Sequence, residues 1–142
     1  MPRASLLVAK PSAHPAILRY YSNSAMTWGS VELEPEIRRW LERLSDEEFG
    51  QAQFYVDLLE REGVALGEPY TRQLRGKLRE LRFYLGRERY RITYYVAKGR
   101  RIILLTIFKK SAQREVAEIS RAEAVMARCV QEGHTAEEAD DA

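Results

Sequence analysis

The sequence lacks the residues from which most enzymes build a catalytic or metal site. It contains a single cysteine, Cys129, and two histidines, His14 and His134, which lie near opposite ends of the 142 residues. It has no Walker or dinucleotide-binding glycine loop and no GxSxG motif. We therefore expect no metal and no cofactor. A lone thiol without a nearby histidine is more typical of a small buried side chain than of a nucleophile.

Long apolar runs and disulfide pairs are also missing. No stretch approaches the roughly 18 apolar residues of a membrane helix, and LLVA at 6–9 is shorter than the apolar region of about 7–15 residues in a signal peptide. One cysteine cannot form an internal disulfide, which suits a reducing compartment. These features predict a soluble, cytoplasmic protein with no membrane partner. The length predicts one folded domain.

Most of the positive charge is concentrated in one part of the chain. The net charge is only +2, yet residues 70–110 carry 13 Lys and Arg against two Glu. Residues 31–69 carry four basic and eleven acidic residues, and 111–142 carry three basic and eight acidic ones. Such an asymmetry favours a polyanionic partner. The alternative is that acidic helices merely neutralise a basic sheet within the fold.

The hydrophobic pattern of residues 31–63 predicts a short strand followed by two amphipathic helices. The strand covers 31–33, and Pro35 suits the first turn of the first helix. Ser45 and Glu48 form a capping-box pattern that begins the second helix, and Gly63 ends it. Apolar side chains recur at helical spacing in both segments. The residues expected to face the core are Ile37, Trp40, Leu41, Leu44, Phe49, Ala52, Val56 and Leu59.

The second half predicts an antiparallel meander and a final helix. Strands are expected at 78–84, 90–97 and 101–108, because LGRE and AKGR place a glycine at each reversal. The run RIILLTIF is apolar on both faces, which predicts a central strand. A helix should follow from Ser111 and end at Gly133. Its expected core residues are Val116, Ile119, Ala122, Met126 and Val130.

These elements predict an α+β fold in the order β-α-α-β-β-β-α. The two N-terminal helices would cover one face of a small antiparallel sheet and leave the other face for function. Residues 1–27 show no sustained period, which predicts a flexible leader or a start codon assigned too far upstream. The folded domain would then cover 28–132. Residues 133–142 would form a disordered acidic tail.

Without histidine or metal, catalysis would depend on Lys, Arg, Glu and Tyr. These residues suit RNA cleavage by attack of the 2′-OH on the adjacent phosphate, because the substrate then supplies the nucleophile. The protein must align the groups, move protons and stabilise charge on the phosphoryl oxygens. Arg82 and Arg91 would hold the phosphate, since guanidinium groups match phosphate oxygens bidentately.

Several residues are candidates for proton transfer. Lys77, Lys109 and Lys110 lie among other cations, and neighbouring positive charge favours the neutral form of a lysine. The sequence does not separate base from acid among them. Glu80 shares a strand face with Arg82, so it could act as the base or hold Arg82 through an ion pair. Tyrosines at strand positions could stack on unpaired bases or simply pack in the sheet; they are Tyr84, Tyr90, Tyr94 and Tyr95.

Three segments in order resemble a known family. LRGKLRELRF at 74–83, YRITYYVAKGRRIILLTIFKK at 90–110 and AQREVAEISRAEAVMAR at 112–128 are together similar to the RelE/HigB group of type II toxin–antitoxin toxins, especially its phage-derived branch. The resemblance covers about residues 28–128. It implies a RelE/ParE-like fold and a ribosome-dependent mRNA endonuclease that inhibits translation. It also implies a cognate antitoxin, often a helix-turn-helix DNA-binding protein.

The resemblance and the charge pattern assign roles to individual residues. The catalytic candidates are Lys77, Arg82, Arg91 and Lys109. The RNA-binding candidates are Arg75, Arg79, Glu80, Tyr84 and Lys110. No histidine occurs in 28–128 and no aromatic residue follows Phe108, so the general acid stays unassigned.

Two alternatives share the predicted fold. ParE-type toxins inhibit DNA gyrase without enzymatic activity, so the fold alone does not decide the target. An inactive module that binds nucleic acid or an antitoxin would carry the same charge. The nuclease hypothesis requires that Arg82, Arg91 and Lys109 converge on one open pocket without each being tied to an acidic side chain.

Overall fold

The computed structural model describes residues 7–9, 18–20, 26–111, 113 and 115–132. Within these residues the chain forms a seven-stranded mixed sheet with the order β1-β2-β3-β7-β6-β5-β4. The strands are β1 Leu7–Ala9, β2 Leu18–Tyr20, β3 Ser30–Leu33, β4 Thr71–Arg75, β5 Leu78–Leu85, β6 Glu88–Ala97 and β7 Arg101–Lys109. The helices are α1 Pro35–Arg43, α2 Asp46–Glu62 and α3 Glu115–Gln131, with a 3-10 turn at Gly63–Ala65.

The predicted α+β class is confirmed, and so is the central position of the RIILLTIF run. Strands β5, β6 and β7 form the expected antiparallel meander. Strand β7 lies between β6 and β3, and the β3–β7 pair is parallel. A strand flanked on both sides and covered on both faces must be apolar throughout, and 102–105 are completely buried.

Helices α1 and α2 pack on one face of the sheet, here called the α1–α2 face. Pro35 lies in the first turn of α1, Ser45 and Glu48 form both hydrogen bonds of the capping box, and Gly63 caps the end of α2. All eight predicted core positions of the two helices are buried. From the sheet they meet Leu81, Phe83, Ile92, Tyr94, Ile102 and Leu104.

Helix α3 covers part of the opposite face, here called the α3 face. Ala122 and Cys129 are buried there against Leu78, Tyr95 and Ile103. The prediction for α3 was partly wrong, because the side chains of Val116 and Val130 are 70% and 48% exposed. The buried stripe continues from Ala122 to Cys129, seven positions later, rather than to position 130. The helix begins at Glu115 instead of Ser111.

Three strands of the sheet were not predicted from the sequence. Strand β4 is not among the predicted strands; it is an edge strand, and Thr71 is the only fully buried residue of its five. Strands β1 and β2 lie within the predicted leader. Tyr20 of β2 is 1% exposed, and its hydroxyl donates a hydrogen bond to Asp57 of α2. This part of 1–27 therefore belongs to the folded sheet. The other residues up to 25 and the predicted tail at 133–142 lie outside the described residues.

The short length of β4 determines where the candidate site lies. Strand β4 begins with Thr71, which pairs with Leu81, so it covers only the first half of β5. Just beyond it, the N–H of Arg82 donates to the carbonyl of Tyr70 at 2.8 Å. The second half of β5 thus forms an edge of the sheet. On the α3 face, this edge lies outside the core that α3 covers.

Candidate anion-binding site

Two arginines face each other across neighbouring strands. Arg82 of β5 and Arg91 of β6 are direct register partners, so both side chains lie on the same face of the sheet. Glu80 precedes Arg82 by two residues and shares that face, as does Leu78, which packs under α3. The three side chains therefore lie on the α3 face. Like charges directly opposite each other destabilise a sheet unless a counter-charge is present.

Glu80 supplies that counter-charge to both arginines. Its Oε2 lies 3.7 Å from Nε of Arg82 and 3.6 Å from Nε of Arg91. Glu80 is completely buried and Arg91 is 3% exposed, whereas the Arg82 side chain is 29% exposed. This is the ion-pair role that the sequence offered as one alternative for Glu80. One carboxylate is shared by two guanidinium groups, so the cluster keeps a net positive charge.

The ion pairs are not hydrogen bonds. Distances of 3.6 and 3.7 Å exceed the ordinary range for N–H···O contacts. Within the described residues, neither carboxylate oxygen of Glu80 and neither Nε atom has a hydrogen-bond partner. Buried polar groups in this state are uncommon and often mark functional sites. The two Nε atoms are buried beside Glu80, so a ligand would reach the cluster through the part of the Arg82 side chain that is exposed.

Burial governs the protonation of this cluster. Burial raises the pKa of Glu80 above the usual range of a glutamate, and the positive charge of Arg91 opposes that shift. Burial also lowers the pKa of Arg91, against the attraction of Glu80. Because an arginine normally ionises far above neutral pH, Arg91 stays positively charged at pH 7.

An open cavity of about 300 Å³ lies at the edge of β5 beside these arginines. Tyr84 is the next residue of β5 on the same face, and its register partner is Arg89 of β6. Tyr70 precedes β4, and Tyr55 reaches the cavity from α2. The walls are formed by Tyr55, Pro69, Tyr70, Arg82, Phe83, Tyr84, Arg89 and Arg91. The cavity therefore combines three guanidinium groups with several aromatic rings.

Lys110 and Glu115 lie next to this cluster. The N–H of Lys110 donates to the carbonyl of Arg89 at 2.8 Å, and its Nζ lies 3.3 Å from Oε2 of Glu115. The charge of Glu115 also acts on Glu80 and Arg91. The start of α3 thus brings Lys110 to the border of the site.

Lys109 lies elsewhere. Its register partner is Tyr90, whose ring packs against Phe83 and Trp40 on the α1–α2 face. The Nζ of Lys109 lies 4.0 Å from Oε1 of Glu88, and both side chains are more than half exposed. The requirement stated from the sequence is therefore met only in part. Arg82 and Arg91 meet at one cavity but both are paired with Glu80, and Lys109 lies on the other face of the sheet, paired with Glu88.

Three other predicted residues are also distant from the cluster. Lys77 is exposed in the turn before β5, about 16 Å along the strand from Arg82 at roughly 3.3 Å per residue. Arg75 forms a 2.8 Å ion pair with Glu123 of α3. Arg79 points to the α1–α2 side, where it donates to the Tyr94 hydroxyl at 3.3 Å and to Thr71 Oγ1 at 3.2 Å.

The tyrosines divide into two groups. Tyr94 and Tyr95 are 2% and 3% exposed and pack in the two cores, and Tyr90 is half-buried. Packing is therefore their observed role. Tyr84 is 56% exposed and lines the cavity.

Three residues of the cavity wall were not predicted from the sequence: Arg89, Tyr55 and Tyr70. Arg89 could have been found, because it precedes Arg91 by two residues and must share its face. Tyr55 and Tyr70 come from a helix and a loop, so no local period links them to β5.

Part of the basic charge is neutralised within the fold, as the alternative interpretation expected. Glu32 forms two 3.0 Å contacts with Arg101, and Arg75 and Lys110 pair with α3. Among the residues that the structure describes, no three His, Cys, Asp or Glu side chains are grouped to hold a metal ion. The described helices include none with the length and apolar character needed to cross a bilayer.

The fold and the cluster define a small α+β protein with a cationic, aromatic-lined cavity at a sheet edge. A model described as "Phage derived protein Gp49-like (DUF891)" matches residues 39–127, which contain the whole site. The chain belongs to this phage-derived Gp49-like family, a RelE-like family associated with toxin–antitoxin systems. No curated protein matches the chain.

Proposed function

We propose that this protein is the toxin of a type II toxin–antitoxin system and that it cuts mRNA on the ribosome. The main supporting observation is the pair of guanidinium groups, Arg82 and Arg91, held around one buried carboxylate beside an open cavity. Family membership supports a toxin-like role. The resemblance to RelE and HigB supports the choice of mRNA as substrate.

The reaction is attack of a ribose 2′ oxygen on the adjacent phosphorus. The new O2′–P bond forms as the P–O5′ bond breaks, which leaves a 2′,3′-cyclic phosphate and a free 5′-OH. One proton leaves the 2′-OH and one is delivered to the departing 5′ oxygen. Arg82 and Arg91 would stabilise the charge that develops on the phosphoryl oxygens. The buried carboxylate of Glu80 would hold both guanidinium groups in position.

The lysines differ in their suitability for proton transfer. Lys110 borders the cluster and interacts with Glu115, which also acts on Arg91. Lys77 and Lys109 lie at the far end of β5 and on the opposite face. Lys110 is therefore the lysine that the geometry favours as a proton donor or acceptor. The ribosome would align the mRNA and complete the site.

A translation extract with a defined mRNA tests the proposal. We expect the protein to cut the message in the ribosomal A site, as mapped by primer extension. Arg82→Ala, and Arg82→Ala combined with Arg91→Ala, should reduce cutting by roughly 10²–10³-fold, the usual loss when a group that stabilises transition-state charge is removed. Arg43→Ala removes an exposed arginine of α1 and serves as the matched control.

Two results would contradict the proposal. Uncut mRNA with folded wild-type protein would refute the nuclease activity, and inhibition of DNA supercoiling with translation intact would assign a gyrase target instead. Because Arg91→Ala leaves Glu80 buried without its nearest counter-charge, circular dichroism must show that each variant is folded.

We also propose a cognate antitoxin as the partner that restrains the activity. An acidic or amphipathic segment of such a protein would cover the basic face of the sheet, shielding charge and blocking access. Co-expression should restore growth to cells producing the wild-type chain.

A further inference from the structure

Exposed aromatic rings surround the arginines of the cavity. Tyr84 is 56% exposed and Tyr70 is 39% exposed, although large aromatic side chains are usually well covered. The ring of Tyr70 lies 6.5 Å from that of Tyr55, which stacks on buried Phe83 at 5.5 Å and 28°. The core therefore holds Tyr55 in place, and Tyr55 supports Tyr70. Tyr70 thus offers a supported ring face to a flat ligand, and Tyr84 offers an exposed one.

The backbone of β5 adds polar groups to the same cavity. The N–H of Arg82 points to the β4 side of the strand, where it meets the carbonyl of Tyr70. Because strand residues alternate in direction, the N–H and C=O of Tyr84 point to this side as well. Strand β4 begins only at Thr71 and does not extend to this position. A ligand in the cavity can thus exchange hydrogen bonds with the strand edge.

Charge selects the type of ligand. Arg82, Arg89 and Arg91 line the cavity, and Glu80 is the carboxylate shared between two of them. Guanidinium groups bind phosphate oxygens, and aromatic faces stack on nucleobases. A volume of about 300 Å³ lies at the lower end of small-ligand pockets, which suits a single nucleotide rather than a duplex.

We propose that this cavity binds one unpaired nucleotide of an RNA strand, with its base on the rings of Tyr70 and Tyr84 and its phosphate on Arg82 and Arg89. The proposal rests on the proposed function for its choice of RNA as the polymer. The base must be unpaired, because the faces of a paired base are covered by its neighbours in the helix. The strand edge at Tyr84 would contact the edge of the base.

Binding of a labelled single-stranded oligonucleotide to the full chain, without ribosomes, tests this assignment by fluorescence anisotropy. The oligonucleotide carries 2′-O-methyl riboses, so its own 2′ oxygen cannot attack the phosphate. A matched abasic strand keeps the phosphates and lacks the bases. We expect the wild-type protein to bind the strand with bases about tenfold more tightly, a typical gain for base–aromatic stacking.

Substitutions of Tyr70 and Tyr84 test whether these two rings form the surface on which the base stacks. Tyr84→Ala and Tyr70→Ala should each weaken binding of the strand with bases by about tenfold and leave binding of the abasic strand unchanged. Tyr84→Phe and Tyr70→Phe retain the ring and should bind like the wild type. Both positions are exposed, so the alanine variants should fold, and circular dichroism checks this.

Equal binding of the two strands by the wild type would overturn the proposal, because the cavity would then recognise charge alone. Unchanged affinity in both alanine variants would also overturn it, because the rings would then make no contact with the bases. The outcome is separate from that of the nuclease proposal. Tyrosine-dependent binding without ribosomal cutting would refute only the nuclease, whereas cutting that is insensitive to both tyrosines would refute only the nucleotide pocket.

Discussion

The carboxylate of Glu80 lies 3.6 Å from Nε of Arg91, and both side chains are almost fully buried. An isolated buried charge of either sign would be costly, so each residue requires the other. The pair fixes the position of a guanidinium group at the inner end of the cavity. This relationship leads to predictions about pH, catalysis and folding.

Replacing Glu80 should remove a specific pH dependence of stability. The folded-state pKa of Glu80 is raised by burial, so its contribution to stability is fully present below the unfolded pKa and is lost as pH rises through the folded pKa. Arg82, Arg91, Arg72 and Glu115 also act on this carboxyl. In Glu80→Gln this contribution is absent. The stability of the wild type minus that of the variant should therefore decrease as the pH rises from about 4 towards neutral.

Urea denaturation of both proteins at several pH values measures this difference. Glu47→Gln, at an exposed position in the first turn of α2, is the matched control. A difference that stays constant or increases with pH would show that burial does not govern the Glu80 carboxyl.

The two faces of the sheet should differ in catalysis. Lys109 pairs with Glu88 on the α1–α2 side, whereas Arg82 lines the cavity. We expect Lys109→Ala to lower mRNA cutting by no more than about threefold, against roughly 10²–10³-fold for Arg82→Ala. The same extract and primer-extension assay compares the two variants. An equal loss in both would require the reacting phosphate to contact both faces.

Two glycines with positive φ should tolerate alanine differently. Gly63 (φ 57°) and Gly86 (φ 60°) both have a positive φ, which costs an alanine about 1 kcal/mol or more. A Cβ at Gly63 would also lie 2.1 Å from Cδ2 of Trp28, whereas no atom lies within 4 Å of a Cβ at Gly86. Gly63→Ala should therefore lose about 3 kcal/mol or more of folding free energy, and Gly86→Ala about 1 kcal/mol.

Tryptophan fluorescence during urea unfolding reports both losses, since Trp28 and Trp40 pack in or against the core. Similar losses at the two positions would mean that Trp28 moves aside without cost.

Cys129 should be chemically inert in the folded protein. Burial raises the pKa of its thiol to about 12, and Sγ lies 3.5 Å from the Tyr95 hydroxyl. An ordinary thiol is about half ionised at pH 8.5, while Cys129 should stay protonated there. Iodoacetamide should label it slowly in buffer and quickly in urea, as followed by mass spectrometry. Rapid labelling of the native protein would contradict this burial.

Local sequence patterns predicted the helices and strands that have a strong hydrophobic periodicity or a defined helix cap. Ser45 and Glu48 form a capping box, and β7 is apolar on both faces. Both features depend only on residues close in the sequence, so the sequence alone was enough to predict them. Strand β4 was missed because an edge strand needs little apolar surface. The shift of the α3 stripe from Val130 to Cys129 follows from packing against Tyr95, which no local pattern reveals.

The candidate site was predictable only within neighbouring strands. Alternation predicts that Glu80 and Arg82 share one face. Arg91 was a candidate because of its guanidinium group, and the observed register places it opposite Arg82. The charge pattern and the resemblance predict Lys109 in the same pocket, but its pairing with Tyr90 turns it to the other side. Tyr55 and Tyr70 reach the cavity through tertiary packing, which the pattern of a single strand does not encode.

The composition of β4 also bears on self-association. This strand ends the sheet, and an unpaired strand edge can join the edge of another copy and lead to aggregates. Its register shift between Gln73 and Arg75 interrupts the regular backbone spacing that a second copy would need. Arg72 and Arg75 would also meet the same charges on an antiparallel neighbour. Charge repulsion and the irregular backbone of β4 thus both disfavour pairing of this edge with a second copy.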